Sequence, residues 1–159
     1  APAGTPVPTM HAGDTGGNMD NARITTGTRV FLPVQVPGAL LALGDVHGMM
    51  GDGELNGTAL EMPAEVLIEV GLIKGQRTAL PYLETADLMI TTGYGDDFLA
   101  AARRAVREMA ERLIAAHNLT WEEAGMLLSA AGDLRICQSY GGQEIIVRLE
   151  FPKLPRTGE

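Results

Sequence analysis

Helical periodicity is confined to one stretch of this 159-residue chain, and that restriction decides the fold class. Between Phe98 and Ala116, apolar residues recur every three or four positions, as on one face of an amphipathic helix. Thr120 and Glu123 have the spacing of a capping box at the start of a second helix. The pattern predicts a helical hairpin over residues 95–132.

The rest of the chain has the composition of short strands separated by turns. Runs of branched residues alternate with glycine and proline, and Pro33 inside the first run predicts an edge strand or a bulge. The predicted strands are 29–36, 39–43, 58–62, 64–73, 78–82, 87–92, 134–140 and 144–151, with a turn at 141–142 and a frayed tail at 152–159. The fold class is therefore α+β and mainly β, and we expect a single domain over residues 1–159.

Charge and cysteine content exclude several classes of protein. The 12 Lys and Arg against 20 Asp and Glu give a net charge of −8, and no basic cluster is interleaved with aromatic residues. Nucleic acid and anionic membranes are therefore not expected partners. The single cysteine, Cys137, lies in a strand-like apolar run and is expected to be a buried, inert thiol. The expected compartment is the reducing cytoplasm.

Glycines and acidic residues concentrate in the first third of the chain. Eleven of the 20 glycines fall within residues 1–57, and residues 1–60 contain five carboxylates with only two basic residues, Arg23 and Arg29. Carboxylates held together without nearby basic groups need a cation or shared protons. The acidic loops of the first third of the chain are therefore candidate functional sites.

The loop at 44–54 is the strongest candidate site. Asp45 and His47, and then Asp52 and Glu54, are spaced two residues apart, which places each pair on one side of an extended chain. Imidazole and carboxylate groups together are a ligand set for zinc or another divalent ion. The competing interpretation is a set of ordinary turns in which each carboxylate bonds its own backbone.

A second acidic glycine segment covers residues 16–21. Its two glycines permit a close backbone approach, and Asn18 and Asp20 can point toward a common ligand. An Asx-rich turn before the strand at Arg29 explains the same pattern. The residues alone leave both interpretations open.

Taken in order, these motifs resemble the acetamidase/formamidase family of amidohydrolases. They are Gly-Gly-Asn-Met-Asp at 16–20, Phe-Leu-Pro-Val-Gln-Val-Pro-Gly-Ala-Leu at 31–40, Gly-Asp-Val-His at 44–47, Gly-Asp-Gly-Glu at 51–54, Leu-Leu-Ser at 127–129 and Gly-Asp-Leu-Arg-Ile-Cys-Gln at 132–138. Family members are longer, and this chain resembles their C-terminal half, which fits its start at Ala1. Many relatives have a histidine just before the Gly-Gly-Asn motif, whereas this chain has Thr15.

The resemblance implies hydrolysis of a short linear amide, such as formamide or acetamide, to a carboxylate and ammonia. It also implies a β-sandwich-like body and a divalent metal, for which we expect zinc, with calcium as the alternative. The residues carried over are Asp20, Asp45 and His47 as metal ligands, Glu54 or Asp52 as the proton acceptor, and Asn18 as a donor to the oxyanion.

The resemblance also implies partners. We expect a small amide substrate, an N-terminal half supplied as a separate or missing chain, and assembly into a homo-oligomer. Two alternatives stay open: a non-catalytic β-sandwich module that binds Ca²⁺ through its acidic loops, and an inactive fragment that needs its N-terminal half. Serine hydrolysis has little support, because Ser129 and Ser139 lie outside any Gly-x-Ser-x-Gly motif.

Overall fold

The computed structural model describes residues 2–76, 78–140 and 144–155. Its strands are β1 (Ala12–Gly13), β2 (Gly16–Gly17), β3 (Arg29–Phe31), β4 (Tyr82–Glu84), β5 (Leu88–Gly95), β6 (Asp133–Gln138) and β7 (Ile145–Pro152), and its helices are α1 (Phe98–His117) and α2 (Trp121–Ala131). Strands β1 and β2 form a small hairpin, and the other five form an antiparallel sheet in the order β3-β4-β5-β7-β6. Two helices with antiparallel strands confirm the α+β class.

Capping residues close in sequence fix where both helices begin and where α1 ends. The Asp97 side chain accepts a hydrogen bond of 2.7 Å from the Ala100 N–H at the start of α1, and Asn118 ends the helix in the left-handed conformation, with φ of 54°. Thr120 and Glu123 form the predicted capping box, with reciprocal hydrogen bonds of 3.2 and 2.8 Å. Both helices predicted within residues 95–132 are therefore present.

The hydrophobic core lies between the helices and one face of the sheet. It contains Ala101, Ala105, Met109, Ala110 and Leu113 of α1, Ala124 and Leu128 of α2, and Val147, Leu149 and Phe151 of β7. Because side chains alternate along a strand, Arg148 and Glu150 lie on the opposite face of β7. The sheet thus has an apolar face toward the helices and a charged face toward the loops of the first third of the chain.

Several predicted strands are wrong. Residues 39–43 and 64–73 form no strand within the described ranges, because a strand requires a hydrogen-bonded neighbour and no described segment pairs with them. The predicted strand at 58–62 is reduced to a single bridge between Glu61 and His47. Only Tyr82 of 78–82 is in a strand, because Thr78 donates a hydrogen bond to the Leu80 carbonyl in a local bend.

The remaining strand predictions hold with changed bounds. Strand β3 stops at Phe31, two residues before Pro33, and lies at the edge of the sheet, as the proline predicted. Strand β6 ends at Gln138, where a bulge interrupts its pairing with β7. The predicted turn at 141–142 and half of the predicted tail, residues 156–159, lie outside the described residues. The described half does not begin frayed, because Pro152 ends β7 and the Lys153 N–H donates a 2.8 Å hydrogen bond to the Asp87 carbonyl.

The described residues do not confirm a β-sandwich, because the sheet packs against helices on one face and the second sheet is only the two-residue hairpin β1–β2. In the described part of the chain, neither helix combines the length and the apolar character that crossing a membrane requires.

Gly93 permits the close approach of β5 to α1, and its replacement by alanine is expected to destabilise the fold. A Cβ at Gly93 would overlap the Ala101 carbonyl oxygen and lie 2.7 Å from the Ala105 nitrogen. Overpacking of this kind costs about 1–3 kcal/mol of unfolding free energy. We expect urea denaturation to show this loss for Gly93→Ala.

The matched control is Gly125→Ala in α2, where an added Cβ has open space. Helix propensity predicts a neutral effect or a gain of up to about 1 kcal/mol for this control. Equal stability of Gly93→Ala and the wild type would contradict the close packing.

Candidate functional site

Three predicted site residues have left-handed backbone conformations. The φ angles of Asp20, Asp45 and Glu54 are +42°, +58° and +39°. This region is uncommon for residues other than glycine, although aspartate tolerates it better than most. Such conformations persist only where the surrounding structure holds them, and they cluster at functional sites.

The structure brings Asp20, His47 and Glu54 together from separate loops. One ligand atom of each lies within 4.8 Å of the others. Asp20 Oδ2 and His47 Nε2 are buried and have no hydrogen-bond partner among the described residues. Buried polar atoms are nearly always paired, so two orphaned atoms in one cluster indicate a group that binds between them.

Burial and neighbouring negative charge both disfavour the ionised form of Asp20. Burial raises the pKa of Asp20 to about 6, and the neighbouring carboxylates of Glu54 and Asp45 add to the shift, while His47 partly opposes it. A carboxyl group in this environment resists ionisation unless positive charge is supplied. The cluster therefore has the electrostatics of a cation site.

His47 also lies between two more exposed carboxylates. Its Nε2 is 3.3 Å from Asp45 Oδ1 and 3.2 Å from Glu61 Oε1, although neither contact has hydrogen-bond geometry. Asp45, His47 and Glu61 form a second group whose ligand atoms lie within 4.8 Å of one another. The imidazole is thus shared by a buried and an exposed pair of acids.

Glu61 is a site residue that sequence reasoning missed. It lies opposite His47 in an antiparallel bridge, flanked by a 2.8 Å hydrogen bond from the Gly48 N–H to the Leu60 carbonyl. The alternation of residues 58–62 predicted a strand, but nothing in it indicated the pairing with the loop at 44–54. That pairing is what places Glu61 at the site.

Asp52 is held away from this cluster by an arginine. Arg148 Nη1 and Nη2 donate to Asp52 Oδ1 and Oδ2 at 2.7 and 2.8 Å, and Arg148 Nε donates to Glu150 Oε1 at 2.6 Å. Arg23 makes two further hydrogen bonds of 2.8 Å to Glu150. The positive charges of the two arginines thus balance the negative charges of the two carboxylates. The charge of Arg148 in particular is neutralised by Asp52 and Glu150.

Glu54 is buried and is anchored to the end of β6. Its Oε2 accepts a 3.2 Å hydrogen bond from Gln138 Nε2, and only 6% of Glu54 is exposed. A parallel bridge joins Gly53 to the same strand, with the Gly53 N–H donating to the Cys137 carbonyl and the Ser139 N–H donating to the Gly53 carbonyl, both at 3.1 Å. Gln138 is a second contact that sequence reasoning missed.

The segment at 16–21 contributes Asp20 and two asparagines. The Asn18 N–H donates to the His11 carbonyl, and within the described ranges the Asn18 side chain makes no hydrogen bond. Asn21 is 6% exposed, and its Nδ2 is buried without a described partner. A Cβ at Gly17 would overlap the His11 carbonyl oxygen, so the second glycine of the motif is required for this turn.

A third histidine and the single cysteine lie outside both acidic groups. His11 Nδ1 lies 2.8 Å from Glu144 Oε1 and belongs to neither acidic group. Cys137 is fully buried, and burial raises the pKa of its thiol to about 12. The prediction of a buried thiol is therefore confirmed.

Comparisons with known proteins agree with the motifs. The model of the Acetamidase/Formamidase family matches residues 3–140. The chain is 48% identical over 63 residues to an acetamidase of Mycolicibacterium smegmatis, a stretch that covers 39% of this chain and 16% of that protein. It is 47% identical over 62 residues to a formamidase of Methylophilus methylotrophus, which covers 38% and 15%.

Solved structures match almost the whole chain. The crystal structure of an acetamidase from Bacillus halodurans superposes with a TM-score of 0.90 at 41% identity, covering 96% of this chain and 51% of that chain. An acetamidase from Yersinia enterocolitica superposes with a TM-score of 0.87 at 33% identity, covering 91% and 43%. The chain spans about half the length of these solved relatives or less, and it belongs to the acetamidase/formamidase family.

Proposed function

We propose that this chain carries the catalytic centre for hydrolysis of a short linear amide, of the formamide or acetamide type, to a carboxylate and ammonia. Family membership supports the reaction class. The observation that carries the proposal is the pair of orphaned buried atoms, Asp20 Oδ2 and His47 Nε2, beside the buried Glu54. These groups combine cation-binding and proton-transfer chemistry at one place.

We propose Asp20, Asp45 and His47 as ligands of a divalent cation. Asp20 and His47 fit such an ion because each has a buried atom without a described partner and because the nearby cation Arg148 is already compensated. Asp45 is included through His47, with which it shares the more exposed group, whereas Glu54 completes the group of Asp20 and His47. An imidazole nitrogen among carboxylates favours zinc over calcium, which prefers oxygen ligands. When bound, zinc supplies Lewis acidity that polarises the amide carbonyl and lowers the pKa of a water molecule.

We assign proton transfer to Glu54 rather than to Asp52. Both oxygens of Asp52 accept hydrogen bonds from Arg148, whereas Glu54 uses Oε2 for Gln138 and keeps Oε1 for a proton. Glu54 accepts a proton from the attacking water while the water oxygen forms a bond to the amide carbon. The same proton then passes to the nitrogen as the C–N bond breaks, because the leaving amine must be protonated.

The carbonyl oxygen gains negative charge during this attack and needs a hydrogen-bond donor. We propose Asn18 for this role, on the basis of its motif. Asn21 is a second candidate because its amide nitrogen is buried and has no described partner.

Replacement of the metal ligands tests the cation site. We expect Asp20→Asn and His47→Ala each to weaken zinc binding by at least about 100-fold, measured by isothermal titration calorimetry, because each removes one of few ligands. His117→Ala, at the end of α1, is the matched control and should bind zinc as the wild type does. Calcium binding that survives His47→Ala, without zinc binding, would support the non-catalytic module instead.

Replacement of the proposed base separates binding from chemistry. We expect Glu54→Gln to lower ammonia release from formamide by about 100-fold or more while its zinc content stays unchanged. Glu111→Gln, an exposed residue of α1 outside the site, is the control. Loss of zinc from Glu54→Gln would make Glu54 a ligand, and undiminished ammonia release would reject it as the base.

The activity also depends on a partner surface that the described residues leave exposed. Apolar side chains at 64–73 extend into solvent, and Leu67 is completely exposed. A run of exposed apolar side chains is typical of a contact site. The exposed apolar side chains of this segment are Val66, Leu67, Ile68, Val70, Leu72 and Ile73.

We propose that the segment 64–73 packs against the remainder of the family fold. The supporting observation is that this chain superposes closely on the Bacillus halodurans acetamidase yet covers only 51% of it. Backbone groups of 64–73 that lack a strand partner here would then pair in a sheet, which is the arrangement that its mixture of branched and acidic residues favours. Homo-oligomer formation through the same segment is the competing arrangement.

Association with that remainder tests the proposal. Mixing this chain with the portion of the Bacillus halodurans acetamidase that it does not match should give a complex in analytical ultracentrifugation. Leu67→Asp should weaken the complex at least tenfold, whereas Met126→Asp, an exposed apolar residue on α2, should not. Self-association that Leu67→Asp abolishes would assign the segment to a homo-oligomer, and no ammonia release from any combination would reject the amidase.

A further inference from the structure

Strand β7 carries two charged side chains on the face that points away from the helices. The side chains of Arg148 and Glu150 are only 3% and 6% exposed. Burial alone would lower the pKa of Arg148, but hydrogen bonds to Asp52 and Glu150 outweigh it and raise the pKa above its ordinary value. Buried charges are tolerated only when they are fully paired, so Arg148 needs both carboxylates.

The hydrogen bonds from Arg148 fix the position of the Asp52 carboxylate. A guanidinium group that donates two parallel hydrogen bonds to one carboxylate sets both the distance and the orientation of that carboxylate. Glu150 in turn holds Arg148 through Nε, and Arg23 holds Glu150 from the other side. The position of Asp52 is therefore set by the sheet rather than by its own loop.

Asp52 lies two residues before Glu54 in a tight turn. Gly53 and Glu54 both have positive φ angles, of 97° and 39°, and the turn contacts the sheet through the Gly53 bridge and the Gln138 hydrogen bond. A glutamate does not keep a left-handed conformation unless its surroundings hold it. The ion pair between Arg148 and Asp52 is the charged contact that holds this turn against the sheet.

We propose that Arg148 is a positioning residue for Glu54: through its two hydrogen bonds to Asp52, it holds the turn at 51–54 so that Glu54 faces Asp20 and His47. The inference rests on the proposed role of Glu54 in proton transfer. Arg148 itself touches neither substrate nor cation in this account. Its effect is on the rate of the chemical step, because a misplacement of about 1 Å costs up to about 100-fold in rate.

The test uses Arg148→Lys, which keeps the charge but not the two-pronged geometry, and Asp52→Asn. Arg29→Lys is the matched control, because it makes the same exchange in an exposed ion pair with Glu84 on the same sheet, outside the network of Arg148. Two readouts are measured at a temperature where thermal denaturation shows every variant folded. They are kcat and KM for formamide, and the NMR resonance of the Gln138 side-chain amide, which reports the position of Glu54.

We expect Arg148→Lys and Asp52→Asn to lower kcat by about 10- to 100-fold with KM and zinc content unchanged. The Gln138 amide resonance should move toward its position in Glu54→Ala, and Arg29→Lys should change neither readout. A Gln138 resonance that stays at the wild-type position in both variants, or a wild-type kcat, would overturn the inference. If the wild type releases no ammonia either alone or with the remainder of the family fold, the proposed function fails, and the Gln138 resonance alone then decides whether Arg148 positions Glu54.

Discussion

The buried ion network on β7 is the interaction on which the arrangement of the loops depends. Arg148 and Glu150 alternate with Val147, Leu149 and Phe151, so one strand presents apolar side chains to the helices and charges to the opposite face. Charges buried in this way must be paired, and the partners come from the first third of the chain as Arg23 and Asp52. These ion pairs therefore hold the glycine-rich loops, which form little secondary structure of their own, against the sheet.

The candidate site follows from this attachment. The turn at 51–54 is held to β6 and β7, the loop at 44–49 is held to residues 60–62 by backbone hydrogen bonds, and the Gly16–Asn21 segment turns through its diglycine. The three segments converge with Asp20, His47 and Glu54 facing one another. Since Arg148 is compensated within its own network, the clustered carboxylates need either shared protons or a bound cation, and the cation is what we propose.

Features encoded by neighbouring residues were predictable from the sequence, and features that depend on distant pairing were not. The capping box of Thr120 and Glu123 and the apolar face of α1 are local, so the helices were predicted closely. The strand predicted at 64–73 was wrong within the described residues because its pattern reveals the propensity to pair but not the partner. The motifs indicated Asp20, Asp45, His47 and Glu54, whereas Glu61 and Gln138 reach the site through pairings distant in sequence.

The central claim is that Asp20, Asp45 and His47 hold a divalent cation beside Glu54. It is tested most directly by an anomalous-difference map recorded at the zinc absorption edge from crystals of the protein grown with zinc. The account predicts one strong peak between Asp20 and His47, within ligand distance of both and absent below the edge. A map with no peak there, or with its only peak away from Asp20, would contradict it.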